Sequence, residues 1–402
     1  MINWRYSPLV YIYKTWSGPA VNNRNPLNAK GMLASGNYYL SGDEAIAEGA
    51  ITASCHYYAG YPITPATEIM ERISVRFRDI GGVFMQMEDE IASICSLIGA
   101  SWAGAKAMTA TSGPGFSLMQ EGIGYAAMTE TPIVIVDVQR AGPSTGQASR
   151  VGCGDIMQAK WGSQGDYQII ALCPWSVQEA YDQTINAFNL AERYRVPVIL
   201  LTEEVIAHLR EKISIREDVE IFNRRKKPGA APFGTEEEDG IPPMPSFGEG
   251  EKLLVTGSTH NDYGIRKTDD PLVQARLISR LNSKIVNNRE KIIDYDSYYM
   301  EDAEVVVISY GFTARSSLFA IEKLQAEGKK IGMLRLKTLW PFADRLIRDI
   351  GAKAKTVFIP EMNKGQVAGE IMKYTSCEVV SYTQTNGEVI HPNAIMEQLR
   401  RL

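Results

Sequence analysis

The sequence predicts an α/β chain of two units, a mainly parallel sheet flanked by helices over residues 36–211 and a smaller α/β unit over residues 300–402. Three observations support this. Strand-length runs such as Pro132–Val138 and Val196–Thr202 are apolar on both faces, as strands covered on both sides are. Helix-period segments alternate with them. Between residues 212 and 299 the alternation fails at Arg224-Arg225-Lys226-Lys227-Pro228, Glu236–Asp239 and Pro242, Pro243 and Pro245. That stretch reads as an extended, partly mobile linker.

In chain order, Asp43–Tyr57 reads as a helix and Ala59–Ile63 as a strand leading into a loop, Gly60-Tyr61-Pro62-Ile63-Thr64-Pro65. Pro62 and Pro65 hold the residues before them extended, which places Thr64 at the N-cap of a helix beginning at Pro65 and ending near Ile80. Val83–Met87 is a strand, and Ile91, Ile94, Cys95 and Ile98 recur at helical spacing on the segment opened by Glu90. Cys55 and Cys95 fall on apolar helical faces, where a buried inert thiol is expected. Lys106–Ala110 is a strand, and Ser176 with Glu179 makes a capping box opening a helix that ends near Arg195. The second unit has strands at Glu304–Tyr310, Ile331–Leu336, Thr356–Ile359 and Glu378–Tyr382. Its helices run to about Gly328, over Ala343–Ala354, Gln366–Tyr374 and Pro392–Leu402. Residues 1–35 form an arm rich in Trp and Tyr without the pattern of a signal peptide.

With 42 basic and 47 acidic residues well mixed among 402, no basic stripe points to nucleic acid or an anionic membrane. No apolar run approaches the roughly 20 residues that span a bilayer. The five cysteines are odd in number, widely spaced and free of C-x-x-C, so they encode neither a disulfide framework nor a metal cluster, and the cytoplasm is the expected compartment.

Glu90 is the first candidate for chemistry. It lies where a strand passes into a helix at a sheet edge, the place where open α/β sheets put their ligands. A carboxylate in an apolar pocket is what a thiamine-type coenzyme needs against its aminopyrimidine ring, where it favours the tautomer that removes the thiazolium C2 proton. The alternative is that Glu88, Asp89 and Glu90 are a solvated helix start favoured by the macrodipole. Ser112 and Gly113, in Thr111-Ser112-Gly113-Pro114-Gly115-Phe116, allow close backbone approach to a ligand, and Tyr61, Pro62 and Ile63 form a rigid ligand loop. Arg140, leaving a buried strand, is placed to clamp a substrate carboxylate bidentately; an ion pair within its own loop is the alternative.

Taken together, GYPITPATEI at 60–69, MEDEIAS at 87–93, TATSGPGFSLM at 109–119 and VQRAGPSTGQ at 138–147 resemble the alpha subunit of 2-oxoacid:ferredoxin oxidoreductases, the 2-oxoglutarate enzymes most. VVISYGFTAR at 306–315, LRLKTLWPF at 334–342 and PEMNKGQ at 360–366 are similar to that subunit's second domain. The resemblance implies a pyrimidine-binding thiamine domain followed by a transketolase C-terminal-like domain. It matches Glu90 to the aminopyrimidine glutamate, Thr64 to a substrate-carboxylate threonine and Arg140 to a substrate arginine. The activity it implies is oxidative decarboxylation of a 2-oxoacid with coenzyme A, electrons passing to ferredoxin. Pyruvate and branched 2-oxoacids are the alternative substrates, and a non-catalytic scaffold is the alternative of another class. The sequence has no GDG motif for Mg2+ and diphosphate and no cysteine cluster. A beta subunit is therefore expected to bring the diphosphate half of the thiamine pyrophosphate site, partner chains the Mg2+ and [4Fe-4S] centres, and a separate gamma-type and a ferredoxin-like subunit to complete the complex.

Overall fold

The computed structural model describes residues 32–402; residues 1–31, most of the aromatic arm, lie outside the described residues. The first eight strands are β1 (Gly36–Ser41), β2 (Tyr57–Gly60), β3 (Val83–Gln86), β4 (Ala107–Thr111), β5 (Val134–Gln139), β6 (Ile170–Leu172), β7 (Val198–Glu203) and β8 (Arg210–Ile215). Six more follow: β9 (Tyr295–Tyr298), β10 (Val305–Tyr310), β11 (Ile331–Leu336), β12 (Thr338–Trp340), β13 (Thr356–Glu361) and β14 (Glu378–Thr383). The large sheet has the order β12-β6-β7-β5-β4-β2-β3 and is parallel except at β12. The second sheet, β14-β13-β10-β11-β9, is parallel except at β9. β1 and β8 pair antiparallel beside them.

The expected α/β architecture is therefore present, with β4, β5 and β7 buried along their whole length. From β2 the chain crosses to β3 on one side and then returns to β4 on the other. The connecting helices accordingly cover opposite faces. Ile69, Met70, Ile73 and Phe77 of helix Thr67–Ile80 join one core, and Ile94, Leu97, Ile98 and Trp102 of helix Glu90–Trp102 join the other. Each such side chain contributes about 1.5–3 kcal/mol by leaving water. The second core continues without a break into the smaller unit, through Val307, Leu334, Trp340 and Phe358. The smaller unit thus packs on one face of the large sheet and lends it β12 as an edge strand.

Four local expectations are corrected. Thr64 is not an N-cap: the Ala66 amide donates to the Ile63 carbonyl at 2.8 Å, and this turn delays the helix to Thr67, with Ala66 as its cap. On helix Glu90–Trp102 the buried stripe runs Glu90, Ser93, Ile94, Leu97, Ile98, Ser101 and Trp102, leaving Ile91 and Cys95 exposed. The small polar Ser93 and Ser101 hide that stripe from an apolar count. Only half of the capping box forms, because Glu179 turns to the Trp175 amide and to Arg335 instead of the Ser176 amide.

The fourth concerns the stretch expected as an extended, partly mobile linker. It holds β8, the 16-residue helix Pro271–Val286 and β9. Buried Arg224 donates to both Glu192 oxygens and to the carbonyls of Ser101 and Ala105, pinning the segment to the first unit. Its basic neighbours make Arg224 read as solvated; a guanidinium with five donors can instead satisfy several carbonyls at once.

Candidate active site

Three loops meet at the carboxyl ends of neighbouring strands: residues 61–66 after β2, Ser112–Gly115 after β4 and Arg140–Gly146 after β5. The crevice between β2 and β4 is the point where the direction of chain crossover reverses, so the helices on either side leave it open. Ser112 and Gly113 directly follow β4. Gly113 has φ +42°, a conformation that suits a residue without Cβ.

Glu90 is the first residue of its helix and only 4% exposed. Its two acidic neighbours do different work. Asp89 caps the helix by accepting the Ala92 amide at 2.7 Å, and Glu88 is exposed. A Cβ added at Gly115 would lie 2.3 Å from Glu90 Oε1 and 2.2 Å from Thr111 Oγ1, so the carboxylate lies in a space that only glycine leaves free. Burial pushes the Glu90 carboxyl up, its own amide pulls it down, and Asp89 raises it further. A group in this state shares a proton readily with a basic ring nitrogen.

Arg140 is buried, and its Nη1 donates to the Thr64 carbonyl at 2.7 Å, joining the first and third loops. Its Nε has no partner, and among the described residues it forms no ion pair, so the expected alternative of a salt bridge within its loop is not realised. Gly113 stands against it: a Cβ there would lie 3.6 Å from Arg140 Nε. Thr64 and Tyr61 are exposed, and Pro62 and Ile63 are half-buried. Thr111 Oγ1 and Ser112 Oγ are buried without partners.

Two acids not singled out in the sequence lie here as well. Asp137, near the end of β5, is fully buried, and Asp155 sits beside it ahead of helix Ile156–Trp161. Burial raises Asp137 most, then the neighbouring Asp155; the Gly113 amide and Arg140 pull it down without overcoming this. The pair therefore holds a proton to higher pH than a free carboxyl does. The signal available in the sequence was a single acid inside Val134-Ile135-Val136-Asp137-Val138. Asp155 and Arg140 also line a cavity of about 560 Å³ that is lined as well by Met362, Asn363, Lys364 and Thr385 of the smaller unit. Glu90 does not line this cavity. Asn363 is fixed there by donating to the Cys153 carbonyl and Tyr310 hydroxyl at 2.8 and 2.9 Å.

A buried carboxylate that receives no side-chain hydrogen bond, with the unpartnered Thr111 hydroxyl near it, fits the aminopyrimidine end of a thiamine-type coenzyme. The same residues offer nothing for a diphosphate-bound cation.

Comparison with known proteins agrees. Residues 48–279 match the family described as pyruvate flavodoxin/ferredoxin oxidoreductase, thiamine diP-bdg, and residues 303–395 match pyruvate:ferredoxin oxidoreductase core domain II. The chain is 47% identical to 2-oxoglutarate synthase subunit KorA of Methanothermobacter marburgensis, over 90% of this chain and 98% of that one. It is 36% identical to ketoisovalerate oxidoreductase subunit VorB of the same organism, over 90% and 97%. The fold superposes with TM-score 0.87 and 34% identity on 2-oxoglutarate:ferredoxin oxidoreductase from Magnetococcus marinus, whose structure holds 2-oxoglutarate, coenzyme A and succinyl-CoA; the match covers 91% of this chain and 65% of that one. The chain belongs to the 2-oxoacid:ferredoxin oxidoreductase family, as an alpha subunit of the 2-oxoglutarate type.

Proposed function

We propose that this family member is the alpha subunit of a 2-oxoglutarate:ferredoxin oxidoreductase. The reaction takes 2-oxoglutarate and coenzyme A to succinyl-CoA and CO2, and two electrons leave one at a time to ferredoxin; the reverse reaction uses the same groups. The observation that carries this reading is Glu90, a carboxylate removed from water at the crossover point with no side-chain partner of its own. Greater identity to the 2-oxoglutarate synthase subunit than to the ketoisovalerate one, 47% against 36%, supports the substrate.

Thiamine pyrophosphate, when bound, supplies a nucleophilic C2 carbon and an electron sink for the decarboxylation. Glu90 would hold a proton against N1′ of its aminopyrimidine, and Tyr61, Pro62, Ile63, Ser112 and Gly113 would hold that ring. Arg140, with one nitrogen tied to Thr64 and another free, fixes the carboxylate of the substrate, and the Thr64 hydroxyl adds a donor to it. A beta subunit supplies the diphosphate and Mg2+ half, and partner chains, including a gamma-type and a ferredoxin-like subunit, complete the site and carry the [4Fe-4S] centres. The cytoplasm suits five unpaired thiols, and no described helix is long and apolar enough to cross a membrane.

The test is turnover by the assembled complex with coenzyme A and a viologen dye. Reduction with 2-oxoglutarate well above that with pyruvate or 2-oxoisovalerate is the expected outcome. Brisk turnover of 2-oxoisovalerate with none of 2-oxoglutarate would transfer the assignment to the branched-chain enzymes, and no turnover of any 2-oxoacid would favour a scaffold.

A further inference from the structure

On the sheet face covered by helices Gly42–Thr52 and Thr67–Ile80, a second polar cluster is left unused by the chemistry above. Asp43 is fully buried, and neither of its carboxylate oxygens has a hydrogen-bond partner. One ligand atom each from Asp43, Glu68 and His208 lie within 4.8 Å of one another. They come from three separate elements: the second residue of each of those helices and the last residue of helix Glu204–His208.

His208 is oriented for this cluster. Its Nδ1 lies 3.2 Å from Glu204 Oε1 and its Nε2 lies 3.8 Å from Glu68 Oε1. With the Nδ1 hydrogen donated to Glu204, Nε2 keeps its lone pair facing the acids, the arrangement by which a carboxylate orients a metal-binding imidazole. The charges acting on Asp43 are those of Glu68, His208, Glu44 and Glu204. Glu44 is already committed, to Arg210 at 3.0 Å and to the Ser41 amide at 2.8 Å. Buried acceptors with acid neighbours and no donor are costly, and a cation removes that cost.

The geometry points to a divalent-cation site formed by Asp43, Glu68 and His208. One imidazole nitrogen with two carboxylates suits a first-row ion such as Zn2+ or Mn2+ better than Ca2+. Metal–ligand bonds of about 2.0–2.2 Å put donors about 3.4 Å apart in a tetrahedral site. The exposed Glu68 and His208 side chains therefore need to close by at most about 1.4 Å onto the fixed Asp43, and solvent completes the shell. Glu68 lies in the first turn of the helix that follows loop 61–66, so the ion ties that loop's exit to the other two helices of the cluster.

The test uses the assembled complex, stripped with a chelator, dialysed against buffered micromolar Zn2+ and analysed for metal beside the variants His208→Ala and Asp43→Asn. One zinc per chain more in the wild type than in either variant is expected, with a higher unfolding temperature in zinc for the wild type alone. Should Asp43→Asn fail to assemble, His208→Ala, at an exposed side chain, decides alone. Equal zinc in wild type and variant, or none retained by the wild type, would overturn the assignment, whatever the activity of the complex on any 2-oxoacid. Mn2+ in place of Zn2+ repeats the comparison by its electron paramagnetic resonance, with the same two readings.

Discussion

Buried acids stand near both ends of strand β5, and the chain treats them in opposite ways. Before its amino end Glu130 is fully buried and met by Arg280 at 2.6 and 2.8 Å and by Lys284 at 2.8 Å. Burial would raise its carboxyl, but Lys284 and Arg280 together hold it well below the usual carboxylate range. Towards its carboxyl end Asp137 forms no salt bridge, Arg140 acting on it only at longer range, and Glu90, across the crevice between β2 and β4, receives no side-chain hydrogen bond. The difference separates the charges that the fold pairs internally from those that it leaves without a partner.

The sharpest way to break this contrast is Glu90→Gln, which keeps shape and removes the acid. Turnover of the assembled complex should fall by about 10²–10⁴-fold with assembly and unfolding temperature unchanged; a large loss of stability would place Glu90 with the structural acids. Glu130→Gln is the reverse experiment. It leaves Arg280 and Lys284 facing a neutral group, and denaturant unfolding should register a loss of about 3–5 kcal/mol with KM unchanged in the folded fraction. Arg140→Lys comes next: the charge survives but the fork does not, so KM for the 2-oxoacid should rise about 10-fold, more than kcat falls. An unaltered KM would remove the clamp.

The smallest effect is in pH. Asp137 and Asp155 titrate above the ordinary value of 3.8 in the folded chain, chiefly through burial. Groups raised on folding bind more protons folded than unfolded, so they favour the folded state fully at low pH. That contribution is lost as pH rises from the unfolded value through the raised folded one. Asp137→Asn should flatten this fall in stability by on the order of 1–2 kcal/mol. An unchanged pH profile would mean that the pair holds no proton.

The strands were legible because strand-length apolar runs bounded by glycine and proline leave few other readings. Ile331–Leu336 is found as expected, and Val198–Glu203 is shifted by only a residue or two. β6 is three residues long and β12 pairs with it only in three dimensions, so neither carries a local signal. The apolar count misplaced the buried face of helix Glu90–Trp102 because Ser93 and Ser101 are buried there by hydrogen bonds to the Asp89 and Pro132 carbonyls. Glu90 and Arg140 were legible from their places at strand ends. Asn363 was not, since its place beside the same cavity as Arg140 depends on how the smaller unit packs against the first, and Asp155 was not, since the irregular chain after β5 that returns it to Asp137 has no periodic pattern.

The most direct measurement is the exchange of the coenzyme C2 proton with deuterium, followed by NMR after rapid acid quench, in the assembled complex with wild-type alpha chain and with Glu90→Gln. The account requires equal coenzyme content in the two and exchange slowed by about 100-fold or more in the variant. Exchange at the wild-type rate with the glutamine in place would mean that the Glu90 carboxylate has no part in activating the coenzyme.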